Sequence, residues 1–278
     1  MGATYSALIG WTATRSLPVR LRPLAYRAFA RAVGANLDET ELPLDAYPSL
    51  GDFFARGLRR GARPVDPRAD AIVAPCDGVI AARGTATGGA LVQAKGRTYR
   101  LAELVADDEL AERLGGGDYA TIYLSPRDYH RVHAPLDARV MRYDYIPGAL
   151  WPVNPRLASR RDGLLARNER VVIHLNAGAA GEIALVMVGA VGVGNIRLSL
   201  PASPAPPDSA TLRPGRERLR VELSDALVRR GDELGAFRLG STVVMVCSPG
   251  ALTLEGEPGQ PVRFGERIGR RARGGAAA

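Results

Sequence analysis

Gly240-Ser241-Thr242 opens a strongly apolar run that continues through Val243, Val244, Met245, Val246 and Cys247. A hydroxyl behind a glycine at the mouth of a buried strand supports two readings. It is a tight turn that needs small residues, or a peptide bond attacked by its own serine. The chain has three histidines. Two stand together in Tyr123-Leu124-Ser125-Pro126-Arg127-Asp128-Tyr129-His130-Arg131-Val132-His133, and His174 falls in a separate apolar run. A histidine base, an aspartate to orient it and a serine to be activated form a known chemical unit. Asp77, His133 and Ser241 supply those types. A spacing of three would turn His130 and His133 to the same side of a helical turn. That spacing also suits a metal, with Asp128 and Asp137 as the nearby carboxylates, but His174 is remote and no metal site is expected. The plain alternative for this stretch is a solvated Ser-Pro turn. Position 243 is valine, so the Gly-x-Ser-x-Gly elbow of serine hydrolases is absent.

The elements that must hold these groups read as short strands. Ser49 is a plausible N-cap with Asp52 three residues on, and Phe53 and Phe54 are buried candidates. Ala71–Pro75 and Val79–Ala82 flank Cys76-Asp77-Gly78, a hairpin or bulge signal. Lys95-Gly96-Arg97 reads as the tip of a second hairpin. Residues 101–114 carry helical spacing closed by Gly115-Gly116-Gly117. Further strands are expected at 119–125, 140–146, 170–175, 183–193, 218–223, 234–238 and 242–247. Residues 201–217 hold five prolines and read as an exposed loop. The class is α+β, mainly antiparallel sheet in one catalytic domain over 49–269, with peripheral helices. A helical arm over 1–48 precedes it and a disordered tail over 270–278 follows. A dinucleotide fingerprint and a P-loop are both absent.

Bulk composition limits the partners. The net charge of +8 and pI near 10.0 favour anionic surfaces, nucleic acid or lipid. Lysine occurs only at Lys95. Cys76 and Cys247 read as buried reduced thiols. No run of 18 uncharged apolar residues exists, so no spanning helix is expected. Residues 1–37 contain no acid, but five arginines interleaved with Leu, Trp, Tyr and Phe, the composition of an interfacial helix. Pro18 and Pro23 should break it into short helices.

The chain resembles the pyruvoyl-dependent phosphatidylserine decarboxylases of bacterial type. The likeness rests on Leu50-Gly51-Asp52-Phe53-Phe54-Ala55-Arg56 with Arg63-Pro64-Val65-Asp66, and on Ala74-Pro75-Cys76-Asp77-Gly78-Val79-Ile80. It continues in Tyr123 through Pro135, Pro147-Gly148 with Val153-Asn154-Pro155, Ala166 through Arg170, and Phe237 through Thr242. These stretches span roughly residues 1–255; Cys76 stands where the family more often has alanine.

The resemblance implies self-cleavage between Gly240 and Ser241. Ser241 Oγ attacks the Gly240 carbonyl, His133 takes its proton and Asp77 orients His133. An ester, elimination and hydrolysis then leave a covalent pyruvoyl group derived from Ser241, with chains 1–240 and 241–278. The pyruvoyl carbonyl would form a Schiff base with the amine of phosphatidylserine. Loss of CO2 from an apolar pocket floored by the Val243 strand would give phosphatidylethanolamine, with His130 as acid or stabiliser at the substrate carbon. Arg127, Arg131 and Asn154 are candidate substrate ligands. The resemblance also implies a peripheral protein on the cytoplasmic face of the bacterial membrane. Its partner is an anionic lipid surface rather than nucleic acid, and a homodimer is expected. Three other readings stay open: a pyruvoyl decarboxylase of a soluble amino acid, a Ser-His-Asp hydrolase, and a non-catalytic carrier module modified at Lys95.

Overall fold

The computed structural model describes residues 15–94, 97–153, 161–190, 196–200, 217–224, 226–238, 240–250 and 252–271. Asn154, Lys95, most of the 201–217 loop and the last seven residues lie outside these.

The strands, in chain order, are β1 (Ala71–Val73), β2 (Gly78–Thr85), β3 (Ala90–Ala94), β4 (Arg97–Arg100), β5 (Asp118–Leu124) and β6 (Arg131–His133). They continue as β7 (Ala138–Ile146), β8 (Arg170–Asn176), β9 (Glu182–Gly189), β10 (Ile196–Leu198), β11 (Leu219–Glu222) and β12 (Leu227–Val228). The last five are β13 (Glu233–Phe237), β14 (Ser241–Cys247), β15 (Leu252–Leu254), β16 (Pro261–Val262) and β17 (Arg267–Arg271). Their pairings are all antiparallel. The largest sheet runs β11-β7-β8-β9-β14-β5-β2-β16, with β12 also on β7. Two three-stranded sheets, β1-β17-β15 and β10-β13-β6, and the hairpin β3-β4 complete it. This is the expected α+β class dominated by antiparallel sheet.

β14 lies at the centre because its residues are apolar on both faces. Val243, Met245 and Cys247 join one core, and Val244 and Val246 join the second. Alternation therefore turns Ser241 toward the first core, the side of Val243. Both cysteines are free and buried.

Several local expectations change. Asp77-Gly78 does not close a hairpin: β1 pairs with β17, whereas β2 pairs with β5 and β16. Gly78 is needed for close approach, since a Cβ there would lie 2.5 Å from the Tyr123 carbonyl oxygen. The 101–114 run is two helices, Leu101–Val105 and Asp108–Leu114. Ala106 turns left-handed between them, and the Asp107 carboxylate caps the second. Arg270 and Arg271, assigned to the tail, belong to β17, and the short strands β6, β10, β12 and β15–β17 were not anticipated.

The N-terminal arm packs on the body. Pro23 opens the helix Arg22–Val33 rather than interrupting it, and Gly34 at φ 78° closes it. Tyr26 stacks on Phe53 at 4.6 Å between ring centroids, joined by Tyr47. The partner helix Leu50–Phe54 starts as expected: Ser49 Oγ accepts from the Asp52 amide and donates to its carboxylate. The outer side of the arm exposes Leu21 and Leu24 beside Arg20, Arg27 and Arg31. Among the described residues, no helix is long and apolar enough to cross a membrane.

Candidate active site

Ser241 is the first residue of β14, paired to Gly189 of β9 and Leu124 of β5. It is fully buried, and its Oγ has no hydrogen-bond partner among the described residues. A buried hydroxyl without a partner is disfavoured unless it has another use. It borders a cavity of about 280 Å³ lined by Gly240, Phe29, Val33, Phe54, Tyr123 and Val153, among others. The cavity is apolar, as expected, but its walls come from the arm and the loops around β5. Val243 does not line it. A Cβ at Gly240 would meet nothing within 4 Å, so the backbone there is open on that side.

His130 and His133 do not share a face. The chain is extended at His133, and odd spacing along extended chain sends side chains to opposite sides. The His130 ring lies 4.0 Å from the Phe54 ring, a residue of the Ser241 cavity, whereas His133 stacks at 3.7 Å on Phe264. Both carry Nδ1–H, because each Nδ1 meets a carbonyl oxygen: Asp128 at 2.9 Å for His130, Gly231 at 2.8 Å for His133. Each Nε2 is therefore a lone pair. That of His133 accepts the Tyr129 hydroxyl at 3.0 Å, and that of His130 has no partner among the described residues. Burial holds both imidazoles neutral. With a smaller lowering from the Arg56 charge, it brings His130 down to about 3, and it pushes His133 down to about 4.

Asp77 does not orient His133. Its carboxylate accepts Arg63 Nε at 3.1 Å on both oxygens, Arg63 Nη2 at 2.7 Å and the Phe264 amide at 2.8 Å. Arg63 also holds Glu39 at 3.0 Å. The Gly231 carbonyl takes the orienting role expected of Asp77, which favours a protonated His133 only through its field. Val79 and Thr242 face Tyr123 from opposite sides of β5. The Asp77 end of β2 therefore lies two strand spacings, roughly 10 Å, from the start of β14. In this conformation the Asp77–His133–Ser241 trio is not joined by hydrogen bonds.

Among the tentative ligands, Arg131 is committed elsewhere, donating to the Ala55 carbonyl at 3.0 Å and to Glu233 at 2.7 Å. Arg127 is exposed at the rim of a second cavity, 3.7 Å from Asp128. Asp128 itself accepts from the Ser125 amide and hydroxyl, which shapes the loop that presents His130. Among the described residues, no group of three or more His, Cys, Asp or Glu side chains is arranged to hold a metal ion. Arg56, Arg63 and Gly231 were not singled out as site residues in the sequence. Arg56 and Arg63 stand inside motifs that were noticed, whereas Gly231 acts through its carbonyl and leaves no side-chain signal.

The residues fit a serine-derived group. A buried Oγ without a partner among the described residues follows an open glycine, the His130 ring with its Nε2 lone pair packs against the same Phe54, and the cavity is lined mainly by apolar residues. The sequence model of the phosphatidylserine decarboxylase family matches residues 50–270. A phosphatidylserine decarboxylase proenzyme from Anaeromyxobacter sp. (strain K) is 44% identical, covering 97% of this chain and 93% of that protein. Proenzymes of the same name from Myxococcus xanthus and Nitrosospira multiformis are 39% and 41% identical, over 96% and 91% of this chain and 94% and 87% of theirs. The family model covers the strands and loops around Ser241 from residue 50 on, the relatives cover most of the chain, and by these matches the chain belongs to the phosphatidylserine decarboxylase family, a family of carboxy-lyases.

Proposed function

We propose that this chain is the precursor of a decarboxylase that converts phosphatidylserine to phosphatidylethanolamine and CO2, with a pyruvoyl group made from Ser241. The observation that carries the reading is the fully buried, unpartnered Oγ of Ser241 in an apolar cavity. In the precursor, Ser241 Oγ bonds to the Gly240 carbonyl carbon and passes its proton to His133 Nε2. The Gly240–Ser241 amide breaks, and the proton returns to the freed nitrogen, leaving an ester. Loss of the Ser241 Cα proton expels the Gly240 carboxylate, and water then displaces the nitrogen as ammonia. Once formed, a pyruvoyl group supplies a carbonyl conjugated to an amide, an electron sink for the pair left by departing CO2.

His133 has the tautomer this step needs, with Tyr129 displaced from its Nε2. His130 holds its Nε2 lone pair beside the cavity, where it handles the proton at the substrate carbon. The apolar walls strip water from the carboxylate that leaves. Phe29 and Val33 of the arm form part of those walls. The exposed arginines and leucines of the same helix suit a lipid surface better than a soluble amino acid. The protein therefore works as a peripheral enzyme on the cytoplasmic face of a bacterial membrane.

An SDS gel and an intact mass of the purified protein test this. The expected products are chains 1–240 and 241–278. The small chain should be lighter by one ammonia than a chain with a free N-terminal serine. Ser241→Ala should stay whole and release no CO2 from phosphatidylserine vesicles. A wild-type chain that stays whole and releases none overturns the proposal.

A further inference from the structure

The second cavity, of about 310 Å³, is lined by Arg56, Arg127 and Asp128, close in sequence to Phe54 and Pro126 of the Ser241 cavity. Arg56 lines it while only 2% exposed. Its Nη2 donates to the Arg127 carbonyl at 3.3 Å, and its guanidinium carbon stands 5.1 Å from the Phe53 ring centroid. Its Nε and Nη1 have no partner among the described residues. Three carboxylates line the same cavity, and each is already engaged. Glu39 and Asp77 take Arg63, and Asp128 takes the Ser125 amide and hydroxyl. Arg56 is thus a buried cation without a counter-ion among the described residues. Such a charge is costly to bury unless an anion completes it. Burial pushes its pKa down, in keeping with that lack. Exposed Arg127 and Arg263 line the same cavity and would draw an anion in.

We propose that Arg56 is the anion-binding residue of this cavity and that it takes a phosphate oxyanion, the phosphodiester of the aminophospholipid headgroup. The proposal rests on reading the chain as a phosphatidylserine decarboxylase. The headgroup offers two anions, and only one suits a fixed guanidinium. A carboxylate held by Arg56 would be stabilised in the ground state and lose that contact on becoming CO2, which would slow the reaction. The phosphodiester keeps its charge throughout, so its contact is uniform binding and shows in KM. Phe54, two residues before Arg56, lies 4.0 Å ring to ring from His130, which puts phosphate recognition near the reacting centre.

Two measurements test this. In mixed micelles of phosphatidylserine, Arg56→Met should raise KM by about tenfold or more with kcat little changed, as loss of a charged hydrogen bond implies. Arg56→Lys should fall between. On the uncut Ser241→Ala precursor, inorganic phosphate should raise the melting temperature, and Arg56→Met in that background should abolish the shift. Glycerophosphoserine should compete with substrate far better than inorganic phosphate. Equal competition would make this a free-phosphate site and overturn the headgroup assignment. An unchanged KM in Arg56→Met, or equal phosphate shifts with and without Arg56, overturns the site itself. If Arg56→Met does not fold, Arg56→Lys and the phosphate titration of the Ser241→Ala precursor decide. A wild-type chain that neither splits nor releases CO2 refutes the parent reading, while that titration still judges Arg56.

Discussion

Tyr129 provides the sharpest test of which histidine serves cleavage. Its hydroxyl donates to His133 Nε2 at 3.0 Å, the lone pair that the proposed base must offer to Ser241. Cleavage through His133 must first break that bond. Tyr129→Phe removes the competitor and keeps the ring, which packs 5.7 Å from His133 and 6.3 Å from Phe264. A buried hydrogen bond contributes a net ~0.5–1.5 kcal/mol, so the variant should cleave about 2- to 13-fold faster. The assay is a time course of freshly translated precursor, quenched in SDS and resolved into its two chains. An unchanged rate would show that His133 Nε2 is not the base and would move the role to His130, whose Nε2 is already free. A much slower rate would place the Tyr129 hydroxyl itself on the proton path. Either result refutes competition between Tyr129 and Ser241 for one lone pair.

Two further outcomes follow from the same geometry. Arg63→Met leaves the Asp77 carboxylate, 6% exposed, with only the Phe264 amide. Breaking one side of a buried pair should destabilise the uncut Ser241→Ala precursor by about 3 kcal/mol, read from its urea midpoint. No change there would make the Arg63–Asp77 pair dispensable. The second outcome concerns pH. His130 and His133 titrate near 3 and 4 when folded, against 6.5 when unfolded. Between about pH 4 and 6.5 the unfolded chain binds more protons, so stability present above 6.5 is lost as pH falls. The loss is up to about 1.4 kcal/mol per pH unit for each histidine. Urea midpoints of the Ser241→Ala precursor at pH 7.5, 6 and 5 should fall accordingly, and a flat profile would mean that these imidazoles are hydrated.

What was legible in the sequence was local. Ser49 caps its helix because a serine three residues before an acid does so with few outside demands. β14 was visible because apolar residues on both faces can only be a central strand. What was hidden was partnership. Asp77 was paired with His133 on residue type and on the family resemblance, but Arg63, fourteen residues earlier, offers a charged and bidentate partner that a neutral imidazole cannot match. The same reasoning missed Gly231, whose carbonyl fixes the His133 tautomer without any side chain. The two histidines were set on one face by assuming a helical turn, whereas pairing of β6 to β13 extends the chain. The sequence showed the arm only as a helical segment preceding the catalytic domain. Tyr26 fills a pocket against Phe53 and Phe29 lines the Ser241 cavity, so removing it opens the site.

The two histidines share a tautomer and differ in occupancy, and that difference matches how often each proposed step occurs. Self-cleavage happens once in the life of a chain. A base that must first break a hydrogen bond to Tyr129 is tolerable there, because a slow single event still yields mature enzyme. Decarboxylation repeats, and a base that had to be uncovered each time would carry the same penalty into every turnover. His130 has its Nε2 uncovered from the start, next to Phe54 and under the field of Arg56. Burial above all weakens the hold of His130 on a proton, which suits a group that must hand one to carbon and return to neutral. Ser241, His130 and Arg56 each keep polar atoms without a partner among the described residues; Ser241 lines one cavity, Arg56 the other, and His130 packs on Phe54 of the first. Stability is given up where a substrate or a backbone carbonyl is to be met, while Asp77, Arg131 and Asp128 are spent on holding the loops that surround it.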